Sequence, residues 1–331
     1  MNNPILVEVL RNSLVESRHR GAVAVADGDG AAVLAIGDVT TPIFPRSAVK
    51  ALQALPLVET GAADAFGFGD EELALACASH SGEPEHVAGV TRMLAKAGLD
   101  ASALRCGAHW PMAQPALVAL ARTGEPSALH NNSSGKHAGF LCVACTKGID
   151  HADYWRPWHP VQREVRAVLE NLTGATLSDE RCAIDGCSVP TWAIPLQNLA
   201  LAFAKFGTGR GLEPERARAA ARLRTACTQK PWYVAGTGRF CTEIMQLLGA
   251  RVFVKTGAEG VYCGALPEQG FGIAVKCDDG AGRAAQAVMA ALVARFLPLG
   301  DAEHAALERL VRPTLRNWNG FEVGRLRIRL T

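Results

Sequence analysis

Three short stretches carry residues suited to acyl-transfer chemistry. Ser47 precedes Lys50 by three positions in Phe-Pro-Arg-Ser-Ala-Val-Lys, Ser79 and Ser81 sit in Ala-Ser-His-Ser-Gly-Glu, and Lys255 opens Lys-Thr-Gly after an apolar run. A serine hydroxyl is a poor nucleophile until a base takes its proton. A lysine one helical turn away lies on the same face, and it can serve as that base only when neutral. Burial and a second ammonium nearby both disfavour its charged form, and Lys255 can be that second ammonium. The Ser79 hydroxyl both donates and accepts, so it can relay a proton to a leaving group. The backbone N–H of Ser47, at a helix start, is a reasonable oxyanion donor. The plainer alternative makes Ser47 a helix cap and leaves Lys50 solvated.

The chain order Ser-x-x-Lys, Ser-x-Ser, Lys-Thr-Gly resembles that of penicillin-binding and serine β-lactamase enzymes, in which the third box lies on a strand. The elements that must position these boxes follow from hydrophobic pattern. Residues 5–10, 22–26 and 31–36 read as strands, the last two joined by the turn Asp27-Gly28-Asp29-Gly30. Helical spacing begins at residue 48 and recurs at 70–77, 84–97, 115–122, 135–147, 161–172, 192–206, 214–228 and 238–248. Strand patterns return at 251–255, 261–266 and 271–277. A helix follows at 282–296, then a shorter one, and a strand at 321–330. Residues 147–160 read as an irregular connection. Strands at both ends around a helical block argue against a doubly wound parallel sheet. They favour an α+β fold whose antiparallel sheet is assembled from N- and C-terminal segments (about 1–40 and 250–331), with the helical portion (about 45–248) inserted. One domain spans 1–331 in this reading.

The 331 residues carry a formal net charge of +2 and a hydrophobic fraction of 49%. That suffices for a large core. With no basic block and few aromatics, nucleic acid is not expected as a partner. The apolar runs are too short and interrupted to span a bilayer, and the N-terminus shows no signal-peptide pattern. Ten irregularly spaced cysteines then point to reduced thiols in a cytoplasm.

The stretches RSAVKALQALPLVETGA, ASHSGEPEH, NNSSGKHAGFL, DGCSVP, KTGAEGVYCGALPE and GIAVKCDDG resemble the asparaginase II family, of the rhizobial inducible type, in order from residue 46 to 280. The resemblance implies a serine β-lactamase-like fold with helices on both sides of the sheet. It implies hydrolysis of L-asparagine to L-aspartate and ammonia by two Ser–Lys pairs, Ser47 with Lys50 and Ser79 with Lys255, without a required cofactor. A homodimer is implied on the same ground. The family also carries a metal-binding Cys, Lys, Cys trio, which here falls on Ser133, Lys136 and Cys187. Serine is a poor replacement for thiolate at zinc, so residues 131–135 are expected to act as a polar turn capping the following helix. For a free amino acid, Arg46 can grip the α-carboxylate and Asp185 the α-ammonium, with His137 and the backbone around Ala258 as further candidates. The alternatives are a surface ion pair for Arg46 and a turn-forming role for Asp185 before glycine.

Other features are set aside. Cys142 and Cys145 lie on an apolar helical face without further ligands for zinc, Gly236-Thr237-Gly238 lacks the lysine of a phosphate loop, and His86 reads as packing. Two rivals to asparagine hydrolysis stand: another serine amidohydrolase of β-lactamase or penicillin-binding type, and a non-catalytic asparagine-binding protein.

Overall fold

The computed structural model describes residues 3–330. Segments from the two ends of the chain build an eight-stranded sheet, in the order Thr314–Arg316, Glu322–Ile328, Ile5–Arg11, Leu14–Asp27, Phe271–Cys277, Val261–Leu266 and Phe253–Thr256, with Ala32–Ile36 also paired to Leu14–Asp27. All these pairings are antiparallel. The fold is therefore α+β, with the sheet drawn from N- and C-terminal segments as the order of patterns implied.

Leu14–Asp27 is longer than the expected 22–26 strand. Its first half, Leu14 to Arg20, alternates between exposed and more buried positions and pairs with Ile5–Arg11, so it is polar because one face meets water. Helices cover both faces of the sheet further along. A Cβ on Gly272 would meet the Ala200 carbonyl at 2.0 Å, so glycine lets the helix Leu196–Thr208 lie directly on the strand. The next residue, Ile273, points the opposite way. Its cross-strand partner Gly264 faces Met289 of the helix Gly282–Phe296.

The segment carrying Ser47 departs from a continuous helix. A 3-10 turn Arg46–Val49 leads into Lys50–Gln53 and then Leu55–Glu59. Pro56 has no N–H to continue the ladder, which divides the last two pieces. Ala48, Ala51, Leu52 and Leu55 are fully buried, so this is a core segment and not a surface helix. Its cap position is Pro45, and no side chain caps it, which removes the capping role for Ser47. The strand Phe253–Thr256 ends beside it. A Cβ on Gly257 would lie 2.6 Å from the Pro45 carbonyl, so Lys-Thr-Gly needs its glycine to come this close.

The expected helix over 192–206 starts only at Leu196. Ahead of it, Pro190–Trp192 pairs with Cys182–Ile184, and Ile194–Pro195 pairs with Pro42–Ile43. The first pairing holds the turn bearing Asp185 and Cys187, and the second draws it alongside Arg46. Residues 147–159 form turns, and Tyr154 within them is fully buried. Among the described residues, no helix is long and apolar enough to cross a membrane.

Candidate active site

Ser79 lies between two buried amines. Lys255 Nζ donates to Ser79 Oγ at 2.7 Å and to the Thr256 carbonyl at 2.9 Å. Lys50 Nζ lies 3.0 Å from Ser79 Oγ, 2.6 Å from the Ala78 carbonyl and 3.2 Å from Asn132 Oδ1. Both lysines are wholly inaccessible to solvent. The loop that carries Ser79 is tied down by the Ser79 N–H, which donates to the Val234 carbonyl at 2.9 Å.

Burial pushes Lys50 well below the ordinary lysine value, and the charges of Lys255 and then Lys136 push it further. Burial also lowers Lys255, to about 8, with Arg239 adding to the fall against nearby thiols. Burial thus disfavours the charged form of both amines, and at Lys50 the charge of Lys255 adds to it. A neutral amine has two N–H groups and one lone pair. Ala78 O, Asn132 O at 3.3 Å and Asn132 Oδ1 offer acceptors to those donors, and in the neutral amine the lone pair can face the Ser79 O–H while Ser79 accepts from Lys255.

Ser47 stands apart from this arrangement. Its side chain is half-buried, and among the described residues its hydroxyl has no hydrogen-bond partner, Lys50 included. The expected Ser47–Lys50 hydrogen bond is thus not formed. The reason is the burial of Lys50: an interior amine must satisfy its donors, and the carbonyls of Ala78 and Asn132 lie inside, away from Ser47. Asn132 was not among the residues singled out from the sequence. It is one polar residue in an Asn-Asn-Ser-Ser run, and only the return of that run to Lys50 marks it.

Arg46 and Asp185 are brought together, but as each other's partner. Arg46 Nε donates to Asp185 Oδ1 at 2.6 Å, and the Gly186 N–H donates to the same oxygen at 2.6 Å. Both sequence alternatives, the ion pair and the turn, are thereby present in one contact. Burial raises the Asp185 carboxyl, yet Lys136 and Arg46 outweigh it and hold the group below its usual range. Arg46, Ser188 and Glu259 adopt positive φ of 51°, 77° and 56° around this region, a backbone strain that accumulates at functional sites. A cavity of about 450 Å³ opens beside Arg46, walled by Ile43, Phe44, Ile184 and Thr191 with Glu259 and Lys276.

Lys136 Nζ donates to Cys187 Sγ at 3.1 Å. Burial opposes ionisation of Cys187, but Lys136 overcomes it and lowers the thiol below its ordinary value. These residues do not fit zinc. Ser133 offers a hydroxyl where zinc favours a thiolate, and its Oγ turns to Asn132 Oδ1 at 3.1 Å while Lys136 Nζ is engaged with Cys187. Ser133 does occupy the cap position of the helix Ser134–Thr146, although its hydroxyl makes no capping bond, which corrects the expected role of that turn. Ser134 Oγ bonds the Leu129 carbonyl instead.

His137 is fully buried and lies behind the site. Its Nδ1 is 2.6 Å from the Tyr154 hydroxyl, and its Nε2 has no partner among the described residues. Burial, then Lys136 and Lys50, keeps its imidazole neutral. Ala258 is exposed in the turn after Lys255, and its carbonyl accepts from Val261 N at 3.4 Å. His86 packs as expected, stacked on Trp232 with ring centroids 4.0 Å apart. Thr237, in the glycine pair set aside above, is bound to Glu83.

Fold and site together define an α+β protein with a buried serine–lysine cluster at the meeting of its sheet and its inserted helices. The chain belongs to the L-asparaginase II family, whose model matches residues 7–328, and is thereby an asparaginase-type amidohydrolase acting on a small molecule. No curated protein matches it. Among solved structures it is similar to a β-lactamase from Mycobacterium bovis, with 13% identity, TM-score 0.44, and 84% of this chain covered against 95% of the other. It is similar to Mglu, with 18% identity, TM-score 0.38, and 90% covered against 73%. A candidate β-lactamase from Bacteroides dorei gives 14% identity, TM-score 0.39, and 78% covered against 84%.

Proposed function

We propose that the protein hydrolyses L-asparagine to L-aspartate and ammonia through an aspartyl ester on Ser47. The observation that carries this reading is an uncommitted serine hydroxyl next to Arg46, one turn from a buried lysine whose charged form is disfavoured. Arg46 keeps the guanidinium nitrogens not used on Asp185 for the α-carboxylate, and Asp185 offers its second oxygen, which accepts a long contact from Cys187 Sγ at 3.8 Å, to the α-ammonium. Ser47 Oγ attacks the side-chain amide carbon. Its proton passes to Lys50, directly once Lys50 turns from Ser79, or through the Ser79 hydroxyl. Oxyanion charge falls near the Ser47 N–H, one of the donors a helix start leaves without an intrahelical partner. Ser79 then gives its proton to the departing ammonia and is refilled from Lys255. Water hydrolyses the ester by the same path in reverse.

One observation favours a second reading, with Ser79 as nucleophile: among the described residues it is the serine that touches both amines. Its near-complete burial makes it the better relay and the poorer point of attack. The assay is coupled ammonia release from asparagine, glutamine, N-acetyl-asparagine and β-aspartyl peptides. Release from asparagine that Ser47→Ala abolishes supports the proposal. Efficient turnover of a β-lactam with none of asparagine, or asparagine binding without ammonia, would replace it with one of its rivals. With ten free cysteines, we assign the protein to a reducing compartment, the cytoplasm, and on family grounds to a homodimer.

A further inference from the structure

We infer that His109 is a positioning residue for this reaction: through Asn132 it fixes the acceptor that holds Lys50 beside Ser79. The inference rests on Lys50 being the base. His109 lies in the loop after the 3-10 turn Ala101–Ala103, remote in sequence from every serine and lysine of the site.

The hydrogen bonds leave the ring one arrangement. The Asn132 backbone N–H donates to His109 Nε2 at 2.9 Å, and a backbone nitrogen can only donate, so Nε2 carries the lone pair. The proton is then on Nδ1, which donates to the Trp110 carbonyl at 2.7 Å. The same Nε2 lies 3.1 Å from Asn132 Nδ2. The side-chain amide must therefore turn its NH₂ toward the ring and its oxygen inward. That oxygen accepts from Lys50 Nζ at 3.2 Å and from Ser133 Oγ at 3.1 Å. Without the ring acceptor the amide is free to reverse, which would set its donors against the donors of Lys50. A neighbouring clasp keeps the two loops in register, with Asn131 Nδ2 donating to the carbonyls of Cys106 at 2.9 Å and Gly107 at 3.0 Å.

The charged and titratable groups that act on or feel Lys50 are Lys255 from the sheet, Lys136 and His137 from the helix Ser134–Thr146, Cys187 and Asp185 from the turn opposite, and His80 and Cys106 from neighbouring loops. Among the described residues His109 makes no hydrogen bond to any of them, although its ring acts electrostatically on His80. Replacing the histidine thus changes the acceptor at Lys50 and leaves the hydrogen bonds of Lys255, Lys136, Cys187 and Asp185 in place, which makes the effect separable.

The experiment compares His109→Ala and His109→Gln with wild type and Lys50→Met, measuring kcat against pH for ammonia release and the thermal unfolding midpoint. A glutamine carboxamide can return an oxygen acceptor to the Nε2 position. His109→Ala is expected to lower kcat about tenfold or more. It should also move the acidic limb of the profile to lower pH, because Lys50 has lost an acceptor that favours its charged form. His109→Gln should recover much of both at an unfolding midpoint similar to that of His109→Ala. A wild-type profile in His109→Ala overturns the inference. So does an equal loss in both variants that follows their unfolding with no movement of the limb. Full activity in Lys50→Met removes the base itself, a failure distinguishable from the failure of His109 to position it.

Discussion

Lys255→Met puts the electrostatics of the site to a quantitative test, because it exchanges a buried charge for an apolar chain of similar length. The folded protein lowers Lys255 from 10.5 to about 8, mainly by burial. That difference is worth about 3 kcal/mol, by which the fold disfavours the ammonium relative to the unfolded chain. Between about pH 8 and 10.5 the unfolded chain holds the extra proton, so stability rises with pH across this window and the penalty is full below it. Methionine removes the penalty. It also removes the hydrogen bonds that Lys255 gives to the Ser79 hydroxyl and the Thr256 carbonyl, at about 1 kcal/mol each. The variant should therefore be about 1 kcal/mol more stable than wild type at pH 7 and about 2 kcal/mol less stable above pH 10.5, with a crossing between. Urea unfolding at pH 7, 9 and 10.5 with unchanged slopes reads this directly. A variant less stable by several kcal/mol at every pH would refute the reasoning. Its residual activity should also have an acidic limb at higher pH, since Lys50 has lost a positive neighbour.

Wild-type kcat should follow a bell in pH, rising as Lys50 deprotonates well below the ordinary lysine range and falling near pH 8 as Lys255 does, with both limbs belonging to the coupled pair. A rate that still climbs at pH 10 contradicts a charged Lys255. Activity should survive exhaustive chelation, and Ser133→Cys should gain zinc that is retained through dialysis; one tightly held zinc per natural chain would show the donor set misjudged. Glutamine and N-acetyl-asparagine should each fall about a thousandfold or more below asparagine in kcat/KM, because one misplaces the carbonyl and the other leaves the Asp185 carboxylate unmatched. Comparable efficiency for either contradicts the pocket.

The frame of this fold is written locally. Alternating and apolar runs mark the strands that bury a face, and Gly and Pro mark their ends. The polar half of Leu14–Asp27 escapes because its partner is Ile5–Arg11 and its outer face is wet, and the two-residue strand Pro42–Ile43 exists only through Ile194–Pro195. At the site, Ser47, Lys50, Ser79 and Lys255 are legible because each sits in a short box whose chemistry suits its neighbours. Lys255 meets Ser79 as expected, but that Lys50 also turns to Ser79 and not to Ser47 is not legible, since it depends on carbonyls at Ala78 and Asn132 that no side-chain pattern reports. The pairing of Arg46 with Asp185 joins residues 139 positions apart, and the role of Asn132 depends on a histidine in another loop. Such contacts belong to the assembled fold.

The claim at the centre of this account is that the side-chain amide carbon is transferred to Ser47. Acid quenching of the enzyme during turnover of asparagine, followed by intact-mass measurement and peptide mapping, tests it most directly. A base-impaired His109→Ala background can be used if the intermediate is too short-lived in wild type. The account predicts an aspartyl adduct on the peptide bearing Ser47, lost in Ser47→Ala and retained in Ser79→Ala. An adduct on the peptide bearing Ser79 that persists in Ser47→Ala would contradict it.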